Sequence, residues 1–405
     1  MFKYLTIFLI FIAFNSNAQY TITGNVVNAA DKTPLPLATA FINNTDIANT
    51  TNQDGTFILK NVTAGRCRLL VKIIGYQTYQ AVLNVSGNIN LKDIELTPSN
   101  DSLAEVTIKA KPKLSACFPV FETEFFGNST FARQCKILNP YDIKFYDIDA
   151  RGGFSARSDK FIEIENDALG YKIIFLLNFF VKDINTSNVY FGGESYFEEM
   201  KGTPKQQKEW RMNRLECYQG SMMQLFRSIK SDSLSENGFR IKRASRGKNP
   251  YYNKNAITVD PYDPQAAADA DAMSDNFGID ADYDNSTYSA QLQNGFLTGK
   301  ELLLKTNQKD MYAIKGISAK DTSLNSLFIE HVKNIVPVVN GNPVSPFWIW
   351  HSSITFFMFI NKNKPYLVFN NNGKILNPGV INIDGYMLWQ TRVGTMLPYD
   401  YIPML

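Results

Sequence analysis

The sequence predicts a β-rich protein: an N-terminal antiparallel β-sandwich followed by an α+β body whose strands are mostly antiparallel. Three observations predict it. Short apolar runs recur at even intervals near the start, separated by Gly, Pro and Asp turn residues with no helical period between them. Alternating or continuously apolar strand-sized runs return from residue 161 and again from residue 302. The best helical period lies in residues 204–229.

In order along the first domain, residues 20–27 form the first run and Thr33-Pro34-Leu35-Pro36 breaks it. Residues 38–42 are the second run. Asp54-Gly55 is a turn signal, because Gly takes positive φ without cost, and it is expected to make the hairpin into residues 56–59. Ala64-Gly65 leads into residues 67–74, Gly75-Tyr76 ends that long central strand, and residues 90–96 close the set. Ala38 has to be small where the sheets meet.

The ordered set Gly24-x-Val26-Val27, Pro34-Leu35-Pro36-Leu37-Ala38, Thr51-x-x-Asp54-Gly55-x-Phe57, Gly65 and Gly75-Tyr76 resembles the carboxypeptidase regulatory-like family, a transthyretin-like (prealbumin-like) sandwich. Gly24, Asp54, Gly55, Gly75 and Tyr76 are its structural signature here. The resemblance implies an accessory or spacer domain with no peptidase chemistry of its own, of a kind placed at the front of exported Gram-negative proteins.

The extreme N-terminus agrees with export. Lys3 is a short basic region, residues 5–14 are apolar, and Ser16-Asn17-Ala18 puts small residues at a signal-peptidase site, with Gln19 as the new N-terminus. That apolar stretch falls short of the ~20 residues needed to cross a hydrocarbon core. No later run spans a membrane as a helix. The expected division is therefore a signal peptide over 1–18, the sandwich over 19–98, a linker over 99–115 and a β-rich α+β body over 116–405. Within the linker, residues 103–112 resemble the join between such a sandwich and the plug of TonB-dependent outer-membrane receptors. The remaining length and its helical stretch argue against a barrel.

In the body, residues 161–166 alternate, residues 171–179 read as a strand buried on both faces, and residues 188–193 as its neighbour. Trp210, Asn213-Arg214, Cys217-Tyr218, Ser221-Met222, Leu225 and Ile229 recur at three and four, predicting one helix. Residues 238–241, 353–359 and 366–369 resume strands, with Asn371-Asn372-Gly373 as a turn. The features Asn166-x-x-Leu169-Gly170-Tyr171, Trp210-x-x-Asn213-Arg214-x-x-x-Tyr218-x-Gly220-Ser221 and Leu397-Pro398-Tyr399-Asp400-Tyr401 resemble the body of uncharacterised exported envelope proteins that carry this front domain.

Chemistry is sparse. A formal charge of +3 gives no electrostatic reason to expect nucleic acid. Of the four cysteines, Cys67 reads as a buried thiol, and Cys117–Cys135 is the one pairing worth weighing. The two histidines, His331 and His351, stand in no His-x-x-Glu or His-Glu-x-x-His arrangement, so zinc carboxypeptidase ligands are not written here. Ser245-Arg246-Gly247-Lys248 matches Ser-x-x-Lys, but in what reads as a basic loop without companion motifs.

Asp280, Asp282 and Asp284 alternate as calcium loops begin, yet Asn285 and Gln291 stand where the turn Gly and bidentate Glu belong. A solvated acidic loop paired with Arg240, Lys242, Arg243, Arg246 and Lys248 is the plainer account. Trp210, Arg211 and Arg214 could face a glycan or partner, though core packing is the stronger reading. Asp101-Ser102-Leu103 and Asp232-Ser233-Leu234 resemble an O-glycosylation sequon of some Gram-negative envelope proteins.

The expectation is a non-catalytic exported cell-envelope protein, periplasmic or associated with the outer membrane, with a binding or scaffolding role. Its partner would be an envelope protein or a glycan, and no cofactor is expected. The alternatives are a periplasmic hydrolase, with His331 or His351 meeting a nucleophile or carboxylate in a body pocket, and a calcium-stabilised surface adhesin.

Overall fold

The computed structural model describes residues 19–99, 115–147, 153–182, 189–248, 288–292, 295–304, 306, 311–315, 326–335, 338–339, 342–343, 350–360, 366–376, 381–385 and 392–403. The signal segment 1–18, most of the linker, Asp101-Ser102-Leu103 and the whole acidic run with Asp280, Asp282 and Asp284 lie outside these residues.

The front of the chain is a sandwich of two sheets. Strands β1 (Gln19–Asn28), β2 (Thr39–Ile42), β3 (Ala48–Thr50), β4 (Thr56–Thr63), β5 (Gly65–Lys72), β6 (Tyr79–Val85) and β7 (Ile89–Leu96) distribute as β4-β1-β7 and β3-β2-β5-β6. The pairings are antiparallel except that β7 runs parallel to β1. Alternate residues of each strand meet in the core: Ile22, Val26, Ala40, Phe57, Leu59, Leu69 and Val71 are buried there, with Ala38 wholly enclosed.

The signature residues have physical reasons. The Phe57 ring lies over Gly24, where a Cβ would stand 2.8 Å from Cε1. Gly55 has φ +76°, and its carbonyl accepts from Val26 N–H at 2.8 Å. Asp54-Gly55 is not, however, a hairpin within one sheet. It carries the chain from β3 in one sheet to β4 in the other, so the turn closes the sandwich edge. Gly75 turns the chain after β5, and Tyr76 bridges back to Pro98.

The body holds two cores. The first is built on the sheet β8-β11-β12-β10-β9, with β13 also on β12. Its strands are β8 (Cys135–Ile137), β9 (Ile143–Asp147), β10 (Phe154–Ser158), β11 (Ile162–Asn166), β12 (Tyr171–Lys182) and β13 (Val189–Glu199). Helix α1 (Phe118–Phe126), opened by Pro119 in its first turn, presses Phe121 and Phe125 onto this sheet, against Phe180 and Phe175.

The second core lies between two further sheets. One is β15-β14-β18-β21-β23, from β14 (Phe239–Lys248), β15 (Tyr288–Leu292), β18 (Ser326–Ile335), β21 (Trp350–Ile360) and β23 (Ile381–Gly385). The other is β16-β17-β22, from β16 (Leu303–Leu304), β17 (Met311–Lys315) and β22 (Tyr366–Asn370). A two-residue pair, β19 (Val338–Val339) with β20 (Asn342–Pro343), completes the strands. Body pairings among the described strands are antiparallel.

The single predicted helix is two: α2 (Pro204–Tyr218) and α3 (Met222–Ser231). Two features break it. Gly220 takes φ +80°, and Ser221 caps α3 by accepting from Gln224 N–H. The break serves packing, since Cys217, Tyr218 and Met223 belong to the first core while Leu225, Phe226 and Ile229 fill the second. A short turn of helix, α4 (Gly299–Leu302), is closed by a Thr298–Glu301 capping box. Ser245 and Lys248 lie in strand β14 paired with β15, not in a loop, so the Ser-x-x-Lys match has neither the helix start nor the loop that was expected. Cys117 and Cys135 are separate thiols, as are Cys67 and Cys217.

Candidate functional site

The sandwich does not hang from the body; it is stitched into it. Residues 43–46, the turn between β2 and β3, lie along β13. Asn44 N–H donates to the Ser195 carbonyl at 2.6 Å and Phe197 N–H donates to the Thr45 carbonyl at 2.9 Å, while Thr45 and Tyr196 form a parallel bridge. The Asn43 side chain accepts from Ser195 N–H at 2.9 Å, and the Ser195 hydroxyl donates to Asn44 Oδ1 at 2.6 Å. Two asparagines therefore act as surrogate strand, satisfying backbone groups that burial would otherwise leave costly.

Beneath this seam, Phe41 and Leu70 of the sandwich meet Ile174 and Tyr196 of the body. The Phe41 ring is 4.7 Å from Tyr196 and 5.7 Å edge-on from Phe161. Glu194, 4 % exposed, is held between Asn178 Nδ2 at 2.8 Å and Arg68 at 3.3 Å from the sandwich. Lys374 lies nearby and is pushed down to about 8, first by burial and then by the Arg68 charge, with Cys67 and Glu194 opposing. Burial likewise raises the Cys67 thiol to about 11.

The C-terminal tail closes the seam. Tyr399 N–H donates to the Asn44 carbonyl at 2.7 Å. Arg227 of α3 grips the tail by donating to the carbonyls of Tyr399 at 3.0 Å, Tyr401 at 2.9 Å and Asn372 at 3.1 Å. Both Asp400 carboxylate oxygens lie 3.3 Å from Asp46 N–H. Asp400 is raised to about 8 by burial, and then by the hydrogen bond and like charge of Asp46, so near neutrality it holds its proton.

Two open clefts border this junction. One, of 770 Å³, runs between the edge strands β3 and β4 and the tail, lined among others by Asp46, Asn49, Asn52, Lys60, Asp400 and Ile402. The other, of 450 Å³, lies between β3 and the end of β13, reaching Tyr196, Glu198 and Glu199. Both linings are rich in amide, hydroxyl and carboxylate groups. The Asn49 side chain accepts from Ile58 N–H at 3.1 Å, which joins the two sandwich edges across the first cleft.

The residues singled out from sequence fall elsewhere. Trp210, Asn213 and Arg214 of α2 read the carbonyls of one turn. Trp210 Nε1 donates to Asp167 at 2.8 Å, Asn213 Nδ2 to Ala168 at 2.7 Å, and Arg214 to Leu169 at 2.7 Å and Gly170 at 3.1 Å. Arg214 also stacks 3.8 Å over Tyr171 and pairs with Glu199 at 2.5 Å. This is a structural lock rather than an Arg-aromatic binding face. Asn166 completes it, donating to the Gly394 carbonyl at 3.0 Å.

His331 is 3 % exposed, packed 4.6 Å from the Phe239 ring and beside the backbone of Gly220 and Gly238; it borders neither cleft. His351 lies on β21 opposite Asn334. Arg240 pairs with Glu330 across β14 and β18 at 3.7 Å, while the acidic run lies outside the described residues. Asp232 takes the left-handed C-cap of α3 and pairs with Lys300 at 3.1 Å, with Ser233 half-buried behind it. Among the described residues no group of three or more His, Cys, Asp or Glu is placed to hold a metal, and no helix is long and apolar enough to cross a membrane. Sequence reasoning missed Asn43, Asn44, Glu194 and Arg227; the Asn43-Asn44 pair ending an apolar strand is the signal that pointed there.

The front unit is thus a two-sheet sandwich of the prealbumin-like class, with the signature glycines doing what that class requires. More particularly, residues 22–108 match the model of the CarboxypepD_reg-like domain. No curated protein matches the chain.

Three solved structures illustrate the remaining likenesses. A type II cohesin–X-dockerin complex from Acetivibrio cellulolyticus is 16 % identical over 27 % of this chain and 76 % of that one, at TM-score 0.19. A membrane-associated protein of unknown function from Bacteroides fragilis is 8 % identical over 86 % and 92 %, at 0.17. A protein described as carbohydrate-binding from Bacteroides uniformis is 7 % identical over 87 % and 98 %, at 0.16. These overlaps are too slight to carry fold or function to this chain.

Proposed function

We propose that this chain is a non-catalytic binding or scaffolding component of the bacterial cell envelope, exported by cleavage after Ala18. In this reading residues 19–98 form a sandwich and residues 116–405 the body, joined by a linker over 99–115. The observation that carries the binding role is the stitched seam. Residues 43–46 exchange backbone bonds with β13, and the tail binds them from the other side. A sandwich fixed in this way presents its edges and the body as one continuous surface with polar clefts. A flexible spacer would need no such joint.

Two observations weigh against the hydrolase alternative. His331 is enclosed by an aromatic ring and two glycine backbones, away from both clefts. Asp400, the most perturbed carboxyl at the clefts, has another carboxylate rather than a nucleophile as its neighbour. The test is capture from envelope fractions by the tagged full chain, with the bound material identified. Specific, saturable retention supports the reading. Hydrolase activity that purifies with the chain and is lost on substituting one of its side chains would sink it.

A further inference from the structure

The outer face of the first body sheet is only partly covered by the sandwich. Where β12 and β13 pass under it, Ile174 and Tyr196 pack into the shared cluster. The same face then continues beyond the sandwich with exposed aromatic side chains. Register places Tyr146, Ser155, Val181 and Tyr190 in one row across β9, β10, β12 and β13. Tyr146 is 43 % exposed and Tyr190 54 %. Phe179, 49 % exposed, sits one pleat along, opposite Gly192.

Single exposed apolar side chains are ordinary and need no explanation. A ring covering a strand glycine is also a known packing device. Here, three aromatic rings share one contiguous face, and that face already serves as an interface at its other end. A β-bulge between Leu177 and Phe179 resets the alternation of β12, which keeps both Phe179 and Leu177 on their respective faces. The Phe179 ring is laid against Gly192, where a Cβ would stand 2.7 Å from Cε1, so it is seated on backbone while the side chain stays half exposed.

Polar groups flank the rings. Arg157 donates to the Tyr146 hydroxyl at 3.2 Å and lies 5.4 Å over its ring, and the Lys144–Asp159 ion pair stands beside it. The row spans three strand spacings, ~14 Å.

We propose that this face is a glycan-binding platform, taking a short stretch of oligosaccharide along the Tyr146–Tyr190 row. The chemistry discriminates between occupants. A protein hot spot needs a close-packed, desolvated centre of large side chains. This face instead sets Tyr146 and Tyr190 apart, with the smaller Ser155 and Val181 between them and charged hydrogen-bonding groups at the side. A pyranose presents the matching pattern, with an apolar ring face that stacks on an aromatic and hydroxyls at its rim that meet guanidinium, ammonium and carboxylate groups. The proposal rests on the binding role above and names its ligand class and place.

The test is affinity electrophoresis of the full chain through gels containing mixed-linkage β-glucan, xylan, mucin or hyaluronan. Calorimetry with the hexasaccharide of whichever polymer retards it then follows. Y190A and F179A are expected to raise Kd at least tenfold, and Y190F to leave it within about twofold, with melting temperatures for Y190A and Y190F unchanged. The platform is overturned if none of the four polymers retards the wild type, or if retardation survives Y190A and F179A. Envelope capture run in parallel separates the two readings. Capture of an envelope protein equally by wild type and Y190A, without glycan retardation, leaves the binding role standing and removes the platform. Tyr190-dependent glycan retardation without any captured protein supports the platform and removes the protein scaffold.

Discussion

Asp400 makes the seam sensitive to pH, and the sign follows from its surroundings. Burial and the adjoining Asp46 raise it from 3.8 to about 8. In the unfolded chain the same carboxyl ionises in the usual range. Protonated Asp400 is therefore the form the folded seam prefers. The stability it lends is complete below about pH 4, declines as pH rises, and is gone above about pH 8. One such group contributes a slope of ~1.4 kcal/mol per pH unit inside that window. Between pH 5 and pH 7 the ceiling is thus ~3 kcal/mol, lowered in practice because a seam at the surface can admit water.

Substituting Asp400→Asn keeps an oxygen to accept from Asp46 N–H and supplies a permanent donor to the Asp46 carboxyl. Urea unfolding from pH 5 to 9, followed by tyrosine and tryptophan fluorescence, reads the effect. The wild type should lose stability across the window, and D400N should show a shallower slope and be the more stable protein at pH 7.5. Equal slopes for the two proteins would refute the assignment of this pH dependence to Asp400.

Three further outcomes are expected. Phe41→Ala empties the centre of the sandwich–body cluster and should cost ~3–5 kcal/mol, with limited proteolysis releasing the sandwich before the body is cut. Arg227→Ala abandons three carbonyls of the tail and the residue 372 turn, and should cost ~2–4 kcal/mol; amide exchange at Tyr399, which donates to Asn44, should accelerate at least tenfold. Burial raises Cys135 to about 12 and Cys67 to about 11, so both should resist iodoacetamide at pH 8 in the native protein, and mass analysis after denaturation should find four alkylated thiols and no disulfide.

What was legible in the sequence follows from what writes itself locally. Period-two burial marks β4, where Phe57 and Leu59 turn inward before a register shift carries Val62 in, and β11, where Ile162 and Ile164 do, because each strand declares its faces through its own residues. β3 was invisible, since three residues, Ala48, Asn49 and Thr50, are too few to show a period. The helix break at Gly220 was misread because the three-and-four spacing runs straight through it. The glycine is needed for a long-range reason: a Cβ there would stand 2.9 Å from His331 Nδ1, on a strand more than a hundred residues away. The turn at Asp54-Gly55 was found, but a local signal does not say whether the next strand joins the same sheet. The seam is the least legible part. Its bonds join backbone groups of residues 44–45 to 195–197 and 399, and backbone atoms leave no mark on the choice of side chain. Only Asn43, Asn44 and Asp400 betray it.

The motif-like phrases of the body gain a common physical meaning from these contacts. Trp210, Asn213 and Arg214 hold the turn after β11. Asn166, from that turn's first residue, reaches the Gly394 carbonyl just before the tail. Arg227 then holds the tail itself, and Tyr399 passes the connection to the sandwich. The chain is thereby clamped at one place to both body cores and the front domain. The first cleft is lined by Asp46 of the sandwich and by Asp400 and Ile402 of the tail. The lining of that cleft is therefore joined through the tail and Arg227 to α3, whose Leu225, Phe226 and Ile229 lie in the second core, a connection that a loosely tethered sandwich would lack.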